Sequence, residues 1–233
     1  SGIPLLFPFP GRLPGGSIEF DGQTYELPRR DALGNAIHGF VLDRPWEVVD
    51  QQVNSVTARF VSTSDPELKQ HWPADFQIAA TYLVQGRSLR GEFILHNPDS
   101  KPLPWGFGLH PYFCVPLGAG GTADRCVVHV PVREHWPLKD MLPTGQRESL
   151  PADSGLNQGM AFSETHFDDV FSGVTIDDQR CLASLTDPAG ERRLELEFDP
   201  EFPVCVVYNP PHRQAICIEP YTCVPGLPMP PDA

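Results

Sequence analysis

Two ionisable side chains lie in apolar, strand-like stretches where burial would adjust their pKa values for proton transfer. Glu219 closes the apolar run 215–218, and burying an unpaired carboxylate raises its pKa towards the range of a general base. His110 lies in the aromatic stretch 105–113, and Pro111 behind it favours extended backbone. A lone histidine on an apolar strand is often only a hydrogen-bonded core residue. A glutamate and a histidine in such settings are nevertheless candidates for acid–base catalysis.

Four other polar residues stand in segments suited to binding a ligand. Arg12 follows an apolar run rich in proline, and His38 precedes Gly39, a residue that lets backbone or ligand approach closely. Asp168 and Asp169 lie between aromatic residues. Neighbouring residues of a strand face opposite ways, so only one of the two acids should enter a site, with Asp168 the first choice. The alternatives are a surface cation for Arg12 and a turn or strand-end cap for the acids.

The elements that would position these residues are short strands separated by glycine and proline. Asp21–Gly22 between two alternating runs is the signature of a hairpin with a type I′ turn, and 85–87 is a second turn. Residues 1–16 are predicted to be ordered but irregular, and helix is limited to one turn near 162–167. Strands are predicted at 17–20, 23–27, 46–49, 53–61, 76–84, 88–95, 105–113, 124–132, 181–186, 192–198, 204–208 and 215–221. This pattern predicts an all-β protein, a large antiparallel β-sandwich forming one domain over 1–233.

Composition narrows the classes of partner. The 17 basic and 30 acidic side chains give a net charge of −13, which disfavours nucleic acid and acidic membranes. No apolar run approaches the roughly 20 residues that span a bilayer.

The cysteines show no C-x-x-C spacing and no pairing with histidine, so a zinc site is not expected, and reduced thiols in a cytoplasmic setting are favoured. They are Cys114, Cys126, Cys181, Cys205, Cys217 and Cys223.

Five segments, taken in order, resemble the galactose mutarotase or aldose 1-epimerase family: 2–13, 34–40, 108–113, 167–171 and 218–222. The resemblance covers most of the chain and implies a supersandwich of curved antiparallel sheets with a sugar site in an open groove. It implies Glu219 as catalytic base, His110 as catalytic acid, and Arg12, His38 and Asp168 as sugar-binding residues. No metal or cofactor is implied.

The implied reaction interconverts the α and β anomers of a free hexose. A base takes the proton of the C1 hydroxyl while an acid protonates the ring oxygen, and closure from the other face reverses both transfers. His110 is expected to rest protonated and Glu219 to have a raised pKa. Because O1 and the ring oxygen share C1, the imidazole nitrogen and the carboxylate should lie about 4–8 Å apart across a groove.

Two departures and two rival functions accompany the resemblance. Proline and glycine precede Arg12 where an asparagine is expected in many relatives, and the chain resembles a core trimmed at both ends, stopping at 230–233 where relatives continue into a last strand.

One rival is a hexose-6-phosphate 1-epimerase of the same fold, for which only Arg29, Arg30 and Arg44 offer nearby positive charge. The other is a non-catalytic sugar-binding module. The preferred sugar and the oligomeric state stay open.

Overall fold

Short strands dominate the computed structural model, which describes residues 2–226; the predicted end at 230–233 lies outside them. The strands are β1 (Leu5–Leu6), β2 (Arg12–Leu13), β3 (Ser17–Phe20), β4 (Gln23–Glu26), β5 (Ala36–Ile37), β6 (Glu47–Gln51), β7 (Ser55–Val61), β8 (Gln77–Gln85), β9 (Ser88–His96), β10 (Gly108–Leu109), β11 (Tyr112–Cys114), β12 (Val127–His129), β13 (Glu134–Trp136), β14 (Leu138–Lys139), β15 (Leu142–Pro143), β16 (Glu148–Ser149), β17 (Met160–Ala161), β18 (Asp168–Ser172), β19 (Cys181–Asp187), β20 (Arg192–Phe198), β21 (Val204–Tyr208) and β22 (Ala215–Tyr221).

In the part of the chain that the structure describes, helical structure is limited to short turns. One α-helical turn, α1, spans Gly155–Gln158, and the 3-10 turns are Pro14–Gly16, Ser62–Ser64, Pro66–Gln70, Ala123–Arg125 and Phe162–Glu164. Within residues 2–226, none of these helices has the length and apolar character needed to cross a membrane.

Three antiparallel sheets carry most of the fold. The largest has eight strands in the order β1-β10-β22-β21-β18-β13-β16, with β11 also paired to β22. Four strands, β17-β12-β19-β20, form a second sheet, and β6-β7-β8-β9 form a third. The remaining pairs are β2-β5, β3-β4 and β14-β15.

The eight-stranded sheet has apolar packing on both faces. On one face, Ile216 and Ile218 of β22 pack with Val128 and Leu185 of the second sheet. On the other face, a smaller cluster contains residues of β1, β18, β21 and β22. A third core, rich in aromatic residues, joins the segment around Phe7 to the third sheet. Apolar residues on the facing sides of the sheets therefore form a sandwich, as predicted.

Most sequence-predicted elements are confirmed, but strands β1, β2, β5 and β13–β17 had not been predicted, and β1 and β2 lie in the segment that was expected to be irregular. The 17–20/23–26 hairpin has Asp21 at φ 49° and Gly22 at φ 71°, both in the left-handed region that a type I′ turn requires. The predicted strand 105–113 is instead split into β10 and β11, because Pro111 has no N–H to donate. The predicted strand 124–132 shortens to β12, and the helical turn α1 had not been expected.

Candidate active site

Strand β22 turns Glu219, the candidate base, towards one face of the sheet because side chains alternate between the two faces along a strand. Its seven residues are all buried, and Ile216 and Ile218 face the core shared with the second sheet. Glu219 and Tyr221 therefore lie on the opposite face, which forms the floor of a groove of about 240 Å³. The groove is lined by Gly11, Arg12, Ile37, His38, His110, Tyr112, Leu138, Met141, Pro143, Asp168, Val170, Val206, Tyr208, Glu219, Tyr221 and Pro225.

Strand register aligns the floor of this groove in two rows. In the first row, Asp168 of β18 is opposite Tyr208 of β21, and Tyr208 is opposite Cys217 of β22. In the second row, Val170 is opposite Val206, and Val206 is opposite Glu219. Asp168 and Glu219 thus share a face of the sheet although they are far apart in sequence.

His110 reaches Glu219 from the break between β10 and β11. Its backbone N–H donates to the carbonyl of Pro4 at 3.0 Å, which ties the break to the N-terminal segment. Its Nε2 lies 3.3 Å from Oε1 of Glu219, and the two side chains are 10% and 2% exposed. The predicted separation of 4–8 Å is wrong, because the two groups contact each other directly when no sugar atom lies between them.

Burial sets the protonation of this pair. Desolvation raises the pKa of Glu219 well above its usual value and lowers the pKa of His110 to about 4. Both directions favour a neutral imidazole beside a protonated carboxyl over an ion pair. Burial therefore opposes the expectation that His110 rests protonated, since the cation loses solvation there.

Tyr221 holds the other carboxylate oxygen of Glu219. Its hydroxyl donates to Oε2 at 2.6 Å, and both side chains are buried. This hydrogen bond lowers the pKa of Glu219, against the larger effect of burial. Sequence reasoning missed Tyr221, although its position two residues after Glu219 on one strand face would have identified it.

Arg12 lies on β2 at the edge of the groove and is held by one acid. Its Nε donates to Oδ2 of Asp31 at 3.0 Å. Asp31 also accepts from Asn35 and from the backbone N–H of Leu33. Before Arg12, Gly11 has φ 62°, and a Cβ there would lie 2.7 Å from Cγ of Pro225. The glycine that replaces the expected asparagine is thus required by close packing.

His38 comes to the groove in an unusual backbone conformation. It has φ 62°, and its ring meets the ring of His110 edge to face at 5.4 Å. Burial, followed by the nearby His110, Arg12 and Arg29, lowers its pKa to about 3. Its Nδ1 and that of His110 are buried without a hydrogen-bond partner in the part of the chain that the structure describes, so a hydroxyl group reaching either atom would satisfy it.

The two adjacent acids have separate environments. Asp168 lines the groove, and burial raises its pKa, partly opposed by Arg12. Asp169 instead bonds Nε2 of His135 at 2.9 Å, on the face of β18 that the alternation turns away from the groove. The structure therefore selects Asp168 between the two candidates.

The predicted convergence of Arg12, His38 and Asp168 with the His110–Glu219 pair on one groove is confirmed, while the roles of these residues stay predictions. Sequence reasoning missed the three groove residues of the β14–β15 hairpin, Leu138, Met141 and Pro143, because no local pattern in the sequence marks them. It also missed two tyrosines whose rings contact His110. Tyr112 stacks on the imidazole with ring centroids 4.9 Å apart, and the Tyr208 ring meets it edge to face with centroids 6.2 Å apart.

Solved structures with this fold include several mutarotase-like proteins. A galactose mutarotase-like protein from Clostridium acetobutylicum matches with a TM-score of 0.88 and 26% identity, over 100% of this chain and 71% of that protein. A galactose 1-epimerase from Lactobacillus acidophilus shares the fold with a TM-score of 0.67 and 15% identity, over 95% of this chain and 71% of that protein. The architecture is therefore that of galactose mutarotase-like proteins.

Sequence comparison leads to the same class. Residues 3–232 match the family model for aldose 1-epimerase, and the chain belongs to that family. The uncharacterised protein YihR of Escherichia coli is 24% identical over 229 residues, which is 95% of this chain and 70% of YihR. The plasmid-borne LacX protein of Lactococcus lactis is 31% identical over 120 residues, half of this chain and 38% of LacX.

Proposed function

We propose that this chain is an aldose 1-epimerase that interconverts the α and β anomers of a free, unphosphorylated hexose. The observation that carries the proposal is the 3.3 Å approach of His110 Nε2 to Glu219 Oε1 on the floor of the groove. O1 and the ring oxygen are both bonded to C1, so an acid and a base that serve them must converge on one position. Two distant segments of this chain meet that requirement.

The pair carries one exchangeable proton, and this number suffices for the reaction. In the ionised form of the pair, the Glu219 carboxylate takes the O1 proton while protonated His110 delivers its proton to the ring oxygen. The C1–O5 bond breaks and the aldehyde forms. Rotation about C1–C2 and closure on the other face return both protons. Ring opening leaves a protonated carboxyl and a neutral imidazole, so no proton is exchanged with solvent.

Burial favours the ring-opening half of this cycle. Proton transfer from Glu219 to His110 creates two charges in a desolvated site, which is unfavourable. Ring opening removes both charges, because the carboxylate gains a proton and the imidazolium loses one. The raised pKa of Glu219 and the lowered pKa of His110 therefore assist the step in which the base accepts and the acid donates.

The other groove residues suit the hydroxyl groups of a sugar. The Arg12 guanidinium and the His38 imidazole can donate hydrogen bonds, and the Asp168 carboxylate can accept them. Arg12 and Asp168 also lie near Glu219 with opposite effects: Asp168 raises the pKa of Glu219 and Arg12 lowers it. We assign these three residues to sugar binding.

The arrangement of charges favours a free hexose over a hexose phosphate. Arg29, Arg30 and Arg44 do not line the groove, and each already pairs with an acid: Asp43, Glu26 and Asp65, respectively. Among residues 2–226, the groove is lined by two carboxyl groups and one arginine, which is bound to Asp31. A phosphate dianion would find repulsion and no free cationic fork there.

Glu219→Gln tests catalysis against mere binding. The substitution keeps the shape of the side chain but removes the proton acceptor, so kcat should fall by about 10²–10⁴-fold with only a modest change in KM. The rate is measured by polarimetry on freshly dissolved α-glucose and α-galactose. His110→Asn should behave similarly, and the double variant should lose less than the product of the single effects, because both residues act in one step.

The matched control is Glu195→Gln, at an exposed position of β20, which should leave the rate unchanged. A wild-type chain that binds sugar but leaves the spontaneous rate of mutarotation unaltered would support the binding-module alternative. Near-normal activity of Glu219→Gln would remove this residue as the base.

A further inference from the structure

The fold gathers three potential metal ligands of different chemistry at the floor of the groove. One ligand atom from each of His110, Cys217 and Glu219 lies within 4.8 Å of the other two, and all three residues are buried. Cys217 and Glu219 are two residues apart on β22 and share a face, and Tyr112, two residues after His110, is opposite Cys217 in the sheet. Sequence spacing did not predict this cluster, because its members meet only through sheet pairing.

The separations suit a small tetrahedral cation. Zinc binds imidazole, thiolate and carboxylate at about 2.0–2.3 Å, which places neighbouring ligand atoms about 3.3–3.8 Å apart. The ligand atoms lie within 4.8 Å of one another and would have to approach by up to about 1 Å to reach those separations. Three protein ligands would leave one tetrahedral position, and two of the three, His110 and Glu219, line the groove. Such a set of three ligands with one open position is typical of zinc sites that admit a further ligand.

The chemistry of the ligands selects the kind of cation. A thiolate and an imidazole favour zinc and similar soft ions over magnesium or calcium, which prefer oxygen ligands. A bound zinc ion takes the cysteine as thiolate, so the proton of the Cys217 thiol goes to solvent. A cysteinate and a glutamate together neutralise the two charges of the ion.

We propose that His110, Cys217 and Glu219 form a binding site for a thiophilic divalent cation of the zinc type, and that the bound cation inhibits the enzyme. The cation would occupy the imidazole nitrogen and the carboxylate that the sugar reaction uses. Binding of the cation does not depend on the proposed function, whereas the inhibition rests on it. Cys217 distinguishes the two uses of the pair, since the cation would bind its thiolate whereas the proposed sugar reaction does not use it.

Cobalt absorption spectroscopy tests the cation site without any assay of activity. Co²⁺ added to the wild-type chain should produce a thiolate-to-cobalt charge-transfer band, and Zn²⁺ should displace it at one equivalent. Cys217→Ala should abolish the band and weaken Zn²⁺ binding by about 100-fold or more, because losing even an indirect support of a metal ligand costs about 10–100-fold. Cys114→Ala, at an exposed free cysteine, should keep the band. Far-ultraviolet circular dichroism checks that each variant is folded, and Cys217→Ser serves if the alanine variant is not.

The outcomes separate this proposal from the proposed function. A band that persists in Cys217→Ala, disappears in Cys114→Ala or never forms in the wild type overturns the cation site, whatever the polarimeter shows. In the activity arm, Zn²⁺ should stop wild-type mutarotation, a chelator should restore it, and Cys217→Ala should stay active in the same Zn²⁺ concentration. If the wild type shows no mutarotation at all, the cobalt band still decides the cation site while the proposed function fails.

Discussion

The His110–Glu219 pair behaves as one titrating unit, because its members lie 3.3 Å apart and share one proton. At low pH the neutral imidazole gains a second proton, with a pKa near 4. At high pH the pair loses its proton from Glu219, whose pKa is raised by burial. The proposed mechanism needs the singly protonated pair. The expected pH profile of kcat/KM is therefore a bell between these two limits.

Tyr221→Phe should shift the alkaline limit of that bell. The lost hydroxyl donates to the Glu219 carboxylate at 2.6 Å, and such bonds to charged groups contribute about 1.5–3 kcal/mol. Without it the pKa of Glu219 rises further, so the alkaline limb should move up by about one to two pH units. The plateau rate should fall by about tenfold or more, because the ionised form of the pair becomes rarer. The measurement is kcat/KM by polarimetry across pH.

Tyr112→Phe is the matched control for this shift. Tyr112 lines the same groove and stacks on His110, but the hydrogen bonds found in residues 2–226 include none from its hydroxyl to Glu219. The limbs of its pH profile should stay where they are in the wild type. A uniform loss of rate in Tyr221→Phe, with both limbs unmoved, would limit Tyr221 to a structural role.

Asp168→Asn and Asp169→Asn should differ sharply in their effect on the sugar. Asp168 lines the groove, so losing its charge should raise KM by about tenfold or more, the consequence of losing a hydrogen bond to a charged acceptor. Asp169 bonds His135 instead, so its substitution should lower stability and leave KM unchanged. Steady-state kinetics and urea denaturation of both variants test the assignment. The reverse pattern would show that the acids have exchanged roles.

At the scale of elements, the candidate site depends on a close approach between two loop segments. The Phe7 carbonyl accepts the backbone N–H of Phe40 at 2.7 Å, and Phe7 forms a parallel bridge with Gly39. Gly39 has φ 62°, like His38 before it. This left-handed pair turns the chain so that the His38 ring meets His110.

Gly39→Ala should destabilise the protein by about 3 kcal/mol or more. An added Cβ would lie 2.1 Å from the carbonyl oxygen and 2.4 Å from the carbonyl carbon of Phe7, and neither backbone atom can move away without displacing the segment. The control in the same loop is Gly34→Ala, where φ is 86° and nothing lies within 4 Å. Only the left-handed strain of about 1–2 kcal/mol should appear there. Equal free energies of unfolding in the two variants, measured in urea, would contradict the predicted clash.

At the scale of the whole molecule, stability should be highest at the strand that holds Glu219. Strand β22 is buried throughout and is paired on both sides. In residues 2–226, strand β6 pairs with β7 alone and is exposed throughout. Amides of Ala215–Tyr221 should therefore exchange only through global unfolding, and those of Glu47–Gln51 through local opening. Hydrogen–deuterium exchange with mass spectrometry measures both. Equal protection would mean that another strand or a second copy covers β6.

The sequence by itself determined the local features of this protein. Turn chemistry at Asp21–Gly22, alternation in β7, β8 and β9, and the apolar runs of β21 and β22 predicted those elements correctly, because these signals depend on neighbouring residues. The apolar run of β22 made Glu219 conspicuous, and proline made His110 so. These signals sufficed for the fold class, and the resemblance to the family supplied five residues that the structure places among those lining the groove.

Only the tertiary structure decided how those residues meet. The register of β18, β21 and β22 selects Asp168 over Asp169 and brings Cys217 beside His110. Burial raises the pKa of Glu219 and lowers that of His110, against the protonated histidine that the sequence had suggested. Register and desolvation are properties of strands packed from distant parts of the chain, and no local pattern of residues encodes them.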